Sequence, residues 1–391
     1  MPAVLSGLEA LLDDPHPWIR GQRLGLLCNP ASIDRHYVHA RDRITQRFPG
    51  QLKALYSPQH GFFAEKQDNM VESDHLKDAV SGLPVYSLYG ETRIPTAEML
   101  APIDLLLVDL QDVGTRVYTF IYTMSYCLEA ARNCGLKVLI LDRPNPINGR
   151  QIEGNLLEPA WASFVGRYAL PMRHGLTIGE SARLFNDHYG IGAQLDVVAM
   201  QGWRRDMWFR DTGLPWVAPS PNMPTPETAA VYPGQVIWEG TSISEGRGTT
   251  LPFEVCGAPD LNIETIGARL TAEKMPGVVL RPCLFEPTSG KHAQRPCRGY
   301  QLHITDRDKY KPYLTSLKLL QTILRHPPES WAWKPPPYEY EFEKRPIDLI
   351  LGDADIRRRI ENLEDLTALE RQWQEALAVY WETARPSLIY D

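Results

Sequence analysis

"LLLVDLQDVGTRVYTF", Leu105 to Phe120, decides the fold. Five of its first six residues are apolar, and the run then empties into Asp109, Gln111 and Asp112. A glycine, Arg116 and Tyr118 follow at once. An apolar run this short and unbroken reads as a strand buried on both faces, which is the habit of a parallel sheet. Polar residues crowded at the end of such a strand point to the edge where open α/β sheets bind ligands.

The pattern repeats outward from there. "RLGLLCNPAS", "LKALYSPQHG", "LPVYSLYG" and "LKVLILDRPNP" are short apolar runs that also close in polar or turn-forming residues. Helical stretches separate several of them, such as "YTMSYCLEAARNCG", with Gly135 placed to cap it. Strands alternating with helices predict a Rossmann-like, doubly wound, mostly parallel sheet. Further on, "HGLTIGESARLFNDHYG" predicts a helix opened by a Thr177–Glu180 capping box and stopped near Gly190. "QLDVVAM" reads as another strand, and the long proline-rich "WVAPSPNMPTPETAAVYPGQ" as a functional loop. The chain is expected to divide into a Rossmann-like domain over 1–236 and a smaller α/β domain over 237–391. "IETIGARLTAEKM", "RGYQLHITD" and "YLTSLKLLQTILRH" are elements of that second domain.

Composition narrows the function. The 391 residues carry a formal net charge of -7, which argues against nucleic acid or anionic membranes as main partners. No apolar run is long enough for a membrane span, and the N-terminus lacks a basic start and a continuous apolar core. A cytoplasmic protein is expected. The six cysteines show no CxxC spacing and read as reduced thiols. Neither GxGxxG nor the GxxxxGK[ST] phosphate loop is present, so the layout alone does not imply a nucleotide.

The strand ends supply Asn29, Gln59, His60, Asp109, Gln111, Asp112, Arg116, Tyr118, Asp142, Arg143 and Asn145. One shared polar pocket is the economical reading. A second cluster, "WEGTSISEGRGTT", holds Glu239 at an apparent strand end, with Glu245 and Arg247 between glycines. "PQHGFFAEKQDN" adds Glu65 to His60, and "PMRHGLTIGE" places Arg173 and His174 just before a helix. Asp109, Asp112, Asp142, His60 and His174 offer donors for magnesium or manganese, but no HxH or HExxH pair unites them. No metal and no cofactor is expected. A nucleophilic serine is disfavoured too, since no GxSxG elbow occurs. Carboxylates and arginines without a cofactor motif suit acid–base hydrolysis of a polar substrate. Glycoside hydrolysis needs one carboxylic acid and one carboxylate. Glu65 and Glu239 are the first candidates, with Asp112 and Glu245 behind them. Trp238, Tyr118 and Trp216 are candidates to flank a sugar face.

"QDVGTRVYTF", "LDRPNPING", "RHGLTIGE", "PSPNMPT", "YPGQVIWEGTSISEGRGT" and "LPFEVCGAP" together resemble the NamZ-like exo-β-N-acetylmuramidases, a family long catalogued as a domain of unknown function. The likeness runs from about residue 22 to the C-terminus with the motifs in order. It implies an exo-acting glycosidase that removes N-acetylmuramic acid from the non-reducing ends of peptidoglycan fragments, with no required cofactor. It also implies a cleft between a Rossmann-like domain and a smaller one. Many members carry Glu-His-Gly after the second strand, where this chain has Gln59 in "SPQHGF". An amide cannot donate the catalytic proton, which leaves Glu65 to take over. A changed acidic or N-acylated sugar, or a non-catalytic muropeptide-binding protein, are the alternatives. The lactyl carboxylate of muramic acid would find partners in Arg116, Arg143 or Arg247. Gln59, Asn222 in "SPNMPTP" and the other strand-end groups would line the pocket.

Overall fold

The computed structural model describes residues 4–67, 70–271, 273 and 275–391. Seven strands form the main sheet: β1 (Leu24–Cys28), β2 (Leu52–Ser57), β3 (Leu76–Lys77), β4 (Pro84–Ser87), β5 (Leu105–Asp109), β6 (Lys137–Leu141) and, after a short antiparallel hairpin of β7 (Glu153–Leu156) and β8 (Pro171–Arg173), β9 (Gln194–Val198). Their order is β3-β4-β2-β1-β5-β6-β9. All pairings are parallel except β3 with β4. β1 and β5 are buried at every position, which is why both read as unbroken apolar runs.

The chain winds from β1 toward β4 and then restarts at β5 in the opposite direction. The switch between β1 and β5 is where such sheets usually open a crevice. Here the proline-rich segment fills it. Asn29, just past β1, donates from Nδ2 to the carbonyl of Pro219 at 2.9 Å. Leu214, Pro215, Trp216 and Val217 lie over Gln111 and Arg143, leaving only a minor cavity. The predicted loop is therefore a plug at its start. At its end it becomes a helix, Pro226–Gln235, opened by Thr225 and with Pro226 in its first turn.

The second sheet is antiparallel, of β10 (Val255–Ala258), β11 (Val278–Phe285) and β12 (Cys297–Ile304), in the order β10-β12-β11. Helices Pro312–Arg325 and Leu366–Ala384 pack against each other and against β7. One hydrophobic core runs through both parts of the chain, from Leu106 and Tyr122 to Tyr313 and Tyr380. The helix Phe120–Cys134 ends at Gly135 with φ 68, and Thr177 and Glu180 form the reciprocal capping box. The reading of Glu239 as a strand-end residue is corrected. Val236–Gly240 is a 3₁₀ turn that continues the helix Pro226–Gln235. All six cysteines are free. No helix among the described residues is long and apolar enough to cross a membrane.

Candidate active site

The pocket that holds the titratable groups lies beside the plugged crevice, over the end of β2 and the start of the helix Phe120–Cys134. It encloses about 450 Å³ of atom-free space, mouth included. Gln59, His60, Tyr118, Asn222, Glu239 and Arg247 all line it, as do Tyr338 and Glu339. A larger cleft of about 790 Å³ sits near Trp208 and His303. Its Arg210 is already closed by a bidentate bond to Glu227, so it offers less unspent chemistry.

The N-terminal half contributes the pocket floor. His60 sits at φ 76 and Gly61 at φ 85, two successive left-handed residues that turn the chain sharply after β2. The turn brings the imidazole Nδ1 to 2.7 Å from the Lys66 carbonyl. A carbonyl only accepts, so Nδ1 carries the proton and Nε2 keeps a lone pair. Burial lowers the His60 pKa to about 4, which keeps the ring neutral. Gln59 accepts from the Thr119 hydroxyl at 2.6 Å and donates toward Tyr89 at 3.1 Å.

Both carboxyl groups of the pocket come from the C-terminal half, and their environments differ. Glu239 is buried, accepts from Arg247 Nη2 at 2.6 Å and from the Tyr338 hydroxyl at 2.6 Å. Burial alone would raise its pKa, but Arg247, Tyr338 and Lys291 outweigh burial and hold it below the usual range. Glu239 is therefore ionised. Glu339 accepts from Gln59 Nε2 at 3.0 Å and from the Tyr89 hydroxyl at 2.5 Å. Burial dominates there, and the nearby charge of Glu239 adds to it, so the pKa rises to about 7. Two carboxyl groups pushed apart in this way are the usual mark of an acid and a base sharing one site.

Glu339 is also held at a conformational cost. Tyr338 and Glu341 exchange both backbone hydrogen bonds at 2.9 Å. The two residues between them, Glu339 at φ 46 and Tyr340 at φ 66, form a tight turn with both central residues left-handed. Asn-Gly is the usual occupant of such a turn. Each non-glycine residue in that region costs about 1–2 kcal/mol. Strain of this kind concentrates where a side chain must be aimed.

The sequence-predicted residues divide sharply. Glu239, His60, Gln59, Tyr118, Asn222 and Arg247 come together in the pocket. Glu245 stands behind it, bound to Arg247 at 3.3 Å and Lys291 at 2.7 Å. Glu65 does not join them. It is exposed, with its carboxylate folded against Gly61. Asp109 and Arg143 form a buried pair beneath the plug. His174 meets Asp112 at 3.2 Å, fully inside the protein. Asp142 accepts from Thr177, Gly179 and Tyr390, Asn145 donates to the Leu176 carbonyl, and Arg173 to that of Ile147. Arg116 has no solvent exposure and spends both terminal nitrogens on four backbone carbonyls. None of these eight lines the pocket. Most polar atoms of the sheet edge are spent within the protein, although Asp112 Oδ1, Arg116 Nε and Arg173 Nε are buried without a partner. Trp238 is likewise buried, with its indole N–H on Gln235, and Trp216 packs edge-on against Phe209. Among the described residues no cluster of His, Cys, Asp or Glu is arranged to hold a metal.

Sequence reasoning missed Glu339, Tyr338 and Tyr89. "PPPYEYEFEK" did mark an acid set between two tyrosines after a proline run. Nothing local says that it crosses to the end of β2.

The comparisons agree with this architecture. The N-terminal part of the family described as exo-β-N-acetylmuramidase NamZ matches residues 24–227, and its C-terminal part residues 230–390. The peptidoglycan β-N-acetylmuramidase NamZ of Bacillus subtilis (strain 168) is 43% identical over 390 residues, covering 100% of this chain and 92% of that protein. A DUF1343 family protein of Bacteroides fragilis superposes with a TM-score of 0.88 at 32% identity, covering 100% of this chain and 99% of that one. A second protein of that family from the same organism gives 0.77 at 25% identity, over 99% of each chain. The mostly parallel sheet, the smaller antiparallel domain and a likeness that spans both place this chain in the NamZ exo-β-N-acetylmuramidase family.

Proposed function

We propose that this protein is an exo-acting β-N-acetylmuramidase that releases N-acetylmuramic acid from the non-reducing ends of peptidoglycan fragments. One observation carries the reading: an ionised Glu239 and a Glu339 with pKa about 7 line one pocket. Glu339 gives its proton to the leaving glycosidic oxygen as the bond to the anomeric carbon breaks. Glu239 supplies the negative charge that offsets the positive charge growing on the ring. Water completes the new bond at the anomeric carbon, and its proton restores Glu339. His60 Nε2, neutral and unprotonated, accepts a hydrogen bond from that water or from a sugar hydroxyl. The pocket takes one terminal sugar. The groove lined by Gln67, Asn222, Thr249 and Thr250, which shares Asn222 with the pocket, runs outward for the leaving saccharide. The free cysteines fit a reducing compartment, in keeping with action on recovered fragments in the cytoplasm.

The test is incubation with the disaccharide N-acetylmuramyl-β-1,4-N-acetylglucosamine and mass-spectrometric detection of free N-acetylmuramic acid. No release by the wild-type protein would end the proposal. Full turnover by both Glu239→Gln and Glu339→Gln would end the site assignment.

A further inference from the structure

Arg93 is the arginine this structure does not account for. Its Nε and Nη2 are buried without a hydrogen-bond partner, and the polar groups that feel its charge are the Tyr340 hydroxyl and the Glu339 carboxyl. Among the described residues it is the one arginine with both atoms of that edge in this state. Buried donors left unpaired are costly, and each calls for an explanation. The guanidinium instead lies among three rings, 3.5 Å from the centre of Tyr340, 5.3 Å from Phe164 and 5.4 Å from Tyr89. Such a cage holds a cation in place while leaving its N–H edge unspent.

At four other arginines of this chain the Nε–Nη2 edge holds a carboxylate. Arg23 uses it on Asp104, Arg41 on Asp42, Arg143 on Asp109 and Arg210 on Glu227. In these four pairs the carboxylate is taken side-on, the geometry a planar fork matches best, whereas Arg205 gives the same edge to the Gly149 and Gly175 carbonyls and Arg132 to the Asn133 amide oxygen.

All three caging rings border the candidate active site. Tyr89 bonds both Gln59 and Glu339, Tyr340 follows Glu339 in the strained turn, and Phe164 precedes the pocket-lining Val165. Arg93 thus stands one ring behind the pocket wall. The wall's own cation, Arg247, is engaged by Glu239 and Glu245. The pocket's imidazole is neutral. An acidic sugar therefore has one unspent guanidinium edge beside it.

We propose that Arg93 is the anion-recognition residue of this protein and receives a carboxylate of the substrate on its Nε–Nη2 edge. This rests on the muramidase reading of the same pocket. The edge is closed to solvent as it stands, so its occupation requires the half-buried Tyr340 ring to turn aside.

Three chromogenic β-glycosides of N-acetylmuramic acid test this: the free lactyl acid, its neutral lactyl amide, and the lactyl-alanine conjugate, whose charge lies one residue further out. The wild type is expected to favour one of the charged substrates over the amide. Arg93→Gln should lose about 10- to 100-fold in kcat/KM on that substrate, mostly through KM, and little on the amide. Loss on the free acid alone assigns the lactyl carboxylate, and loss on the conjugate assigns a peptide carboxylate. Arg93→Lys keeps charge and stem but not the fork, and should recover only part of the preference. It carries the same test should Arg93→Gln melt early. Equal loss on all three substrates, or no loss on any, overturns the proposal. A wild type inert toward all three defeats the muramidase reading instead.

Discussion

The side-chain amide of Gln59 donates to the carboxyl of Glu339 at 3.0 Å, joining residues 280 positions apart. The contact ties the end of β2 to the strained turn Tyr338–Glu341. It also places a proton-bearing group beside the position where the family resemblance leads one to look for an acid. The proposed proton donor thus comes from the C-terminal half of the chain and is steadied by the N-terminal half.

Glu339→Gln is expected to lower kcat by about 100- to 10,000-fold with KM nearly unchanged. The pH profile gives the sharper check. With its pKa raised to about 7, Glu339 is protonated below that pH and loses its proton above it. Wild-type kcat/KM should therefore fall on the alkaline side with a midpoint near pH 7. In Glu339→Gln that limb should vanish. A limb that survives in the variant belongs to another group.

Gln59→Leu addresses the same carboxyl from its partner. The amide stabilises the ionised form, so its loss removes one of the influences that lower the Glu339 pKa. The alkaline limb should move upward by roughly one pH unit. An unmoved or lowered limb, recorded by initial rates between pH 5 and 9, contradicts the assignment.

Glu65→Gln is expected to keep turnover within about twofold, because Glu65 is exposed and outside the pocket. Surface changes away from special features are usually energetically small. A loss of 100-fold in kcat would return Glu65 to the role its sequence position first suggested.

The fold was legible because burial on both faces writes itself into composition: β1, β2, β5 and β6 are apolar runs, and Thr177 with Glu180 caps as its spacing predicts. The candidate site was legible in half. Gln59, His60, Glu239 and Arg247 sit next to glycines and turns that single them out. The sheet-edge cluster misled because it is as polar as a binding site, and its partners are backbone atoms of distant segments. Asn29 with Pro219, and Arg116 with Ile350 and Leu351, are contacts no spacing reveals. Glu339 was hidden for the same reason.

Glu153 makes a prediction about stability. One oxygen accepts from the Leu314 amide at 2.8 Å, while the other is buried without a partner. Burial raises the pKa to about 7 from an ordinary value of 4.5. A carboxyl with its folded pKa raised stabilises fully below the unfolded value, and that contribution is lost as pH rises through the folded one. The loss amounts to about 3 kcal/mol between pH 4.5 and 8. Glu153→Gln removes the titration. Its urea unfolding free energy should decline less over that range than the wild type's, and it should be no less stable than wild type at pH 8. Parallel curves for the two proteins would contradict this.

Arg116 separates a structural role from a binding one. Its Nη1 donates to the carbonyls of Asn155 and Leu170 at 2.8 and 2.9 Å, and its Nη2 to those of Ile350 and Leu351 at 3.0 and 2.7 Å. The guanidinium thereby fastens the β7–β8 hairpin to the helix Pro346–Leu351. Arg116→Met fills similar volume and relieves the cost of burying a charge. Against that, Leu170 and Leu351 keep other donors, the Leu157 amide and Asn155 Nδ2, whereas Asn155 and Ile350 lose the donor that Arg116 supplies. Two buried acceptors left unpaired cost about 2–6 kcal/mol together, and relief of the buried charge offsets part of that, so the net loss should be about 1–4 kcal/mol. Because Arg116 does not line the pocket, KM and kcat measured well below the melting transition should hardly change. A variant of wild-type stability with a KM raised tenfold would restore Arg116 as a substrate clamp.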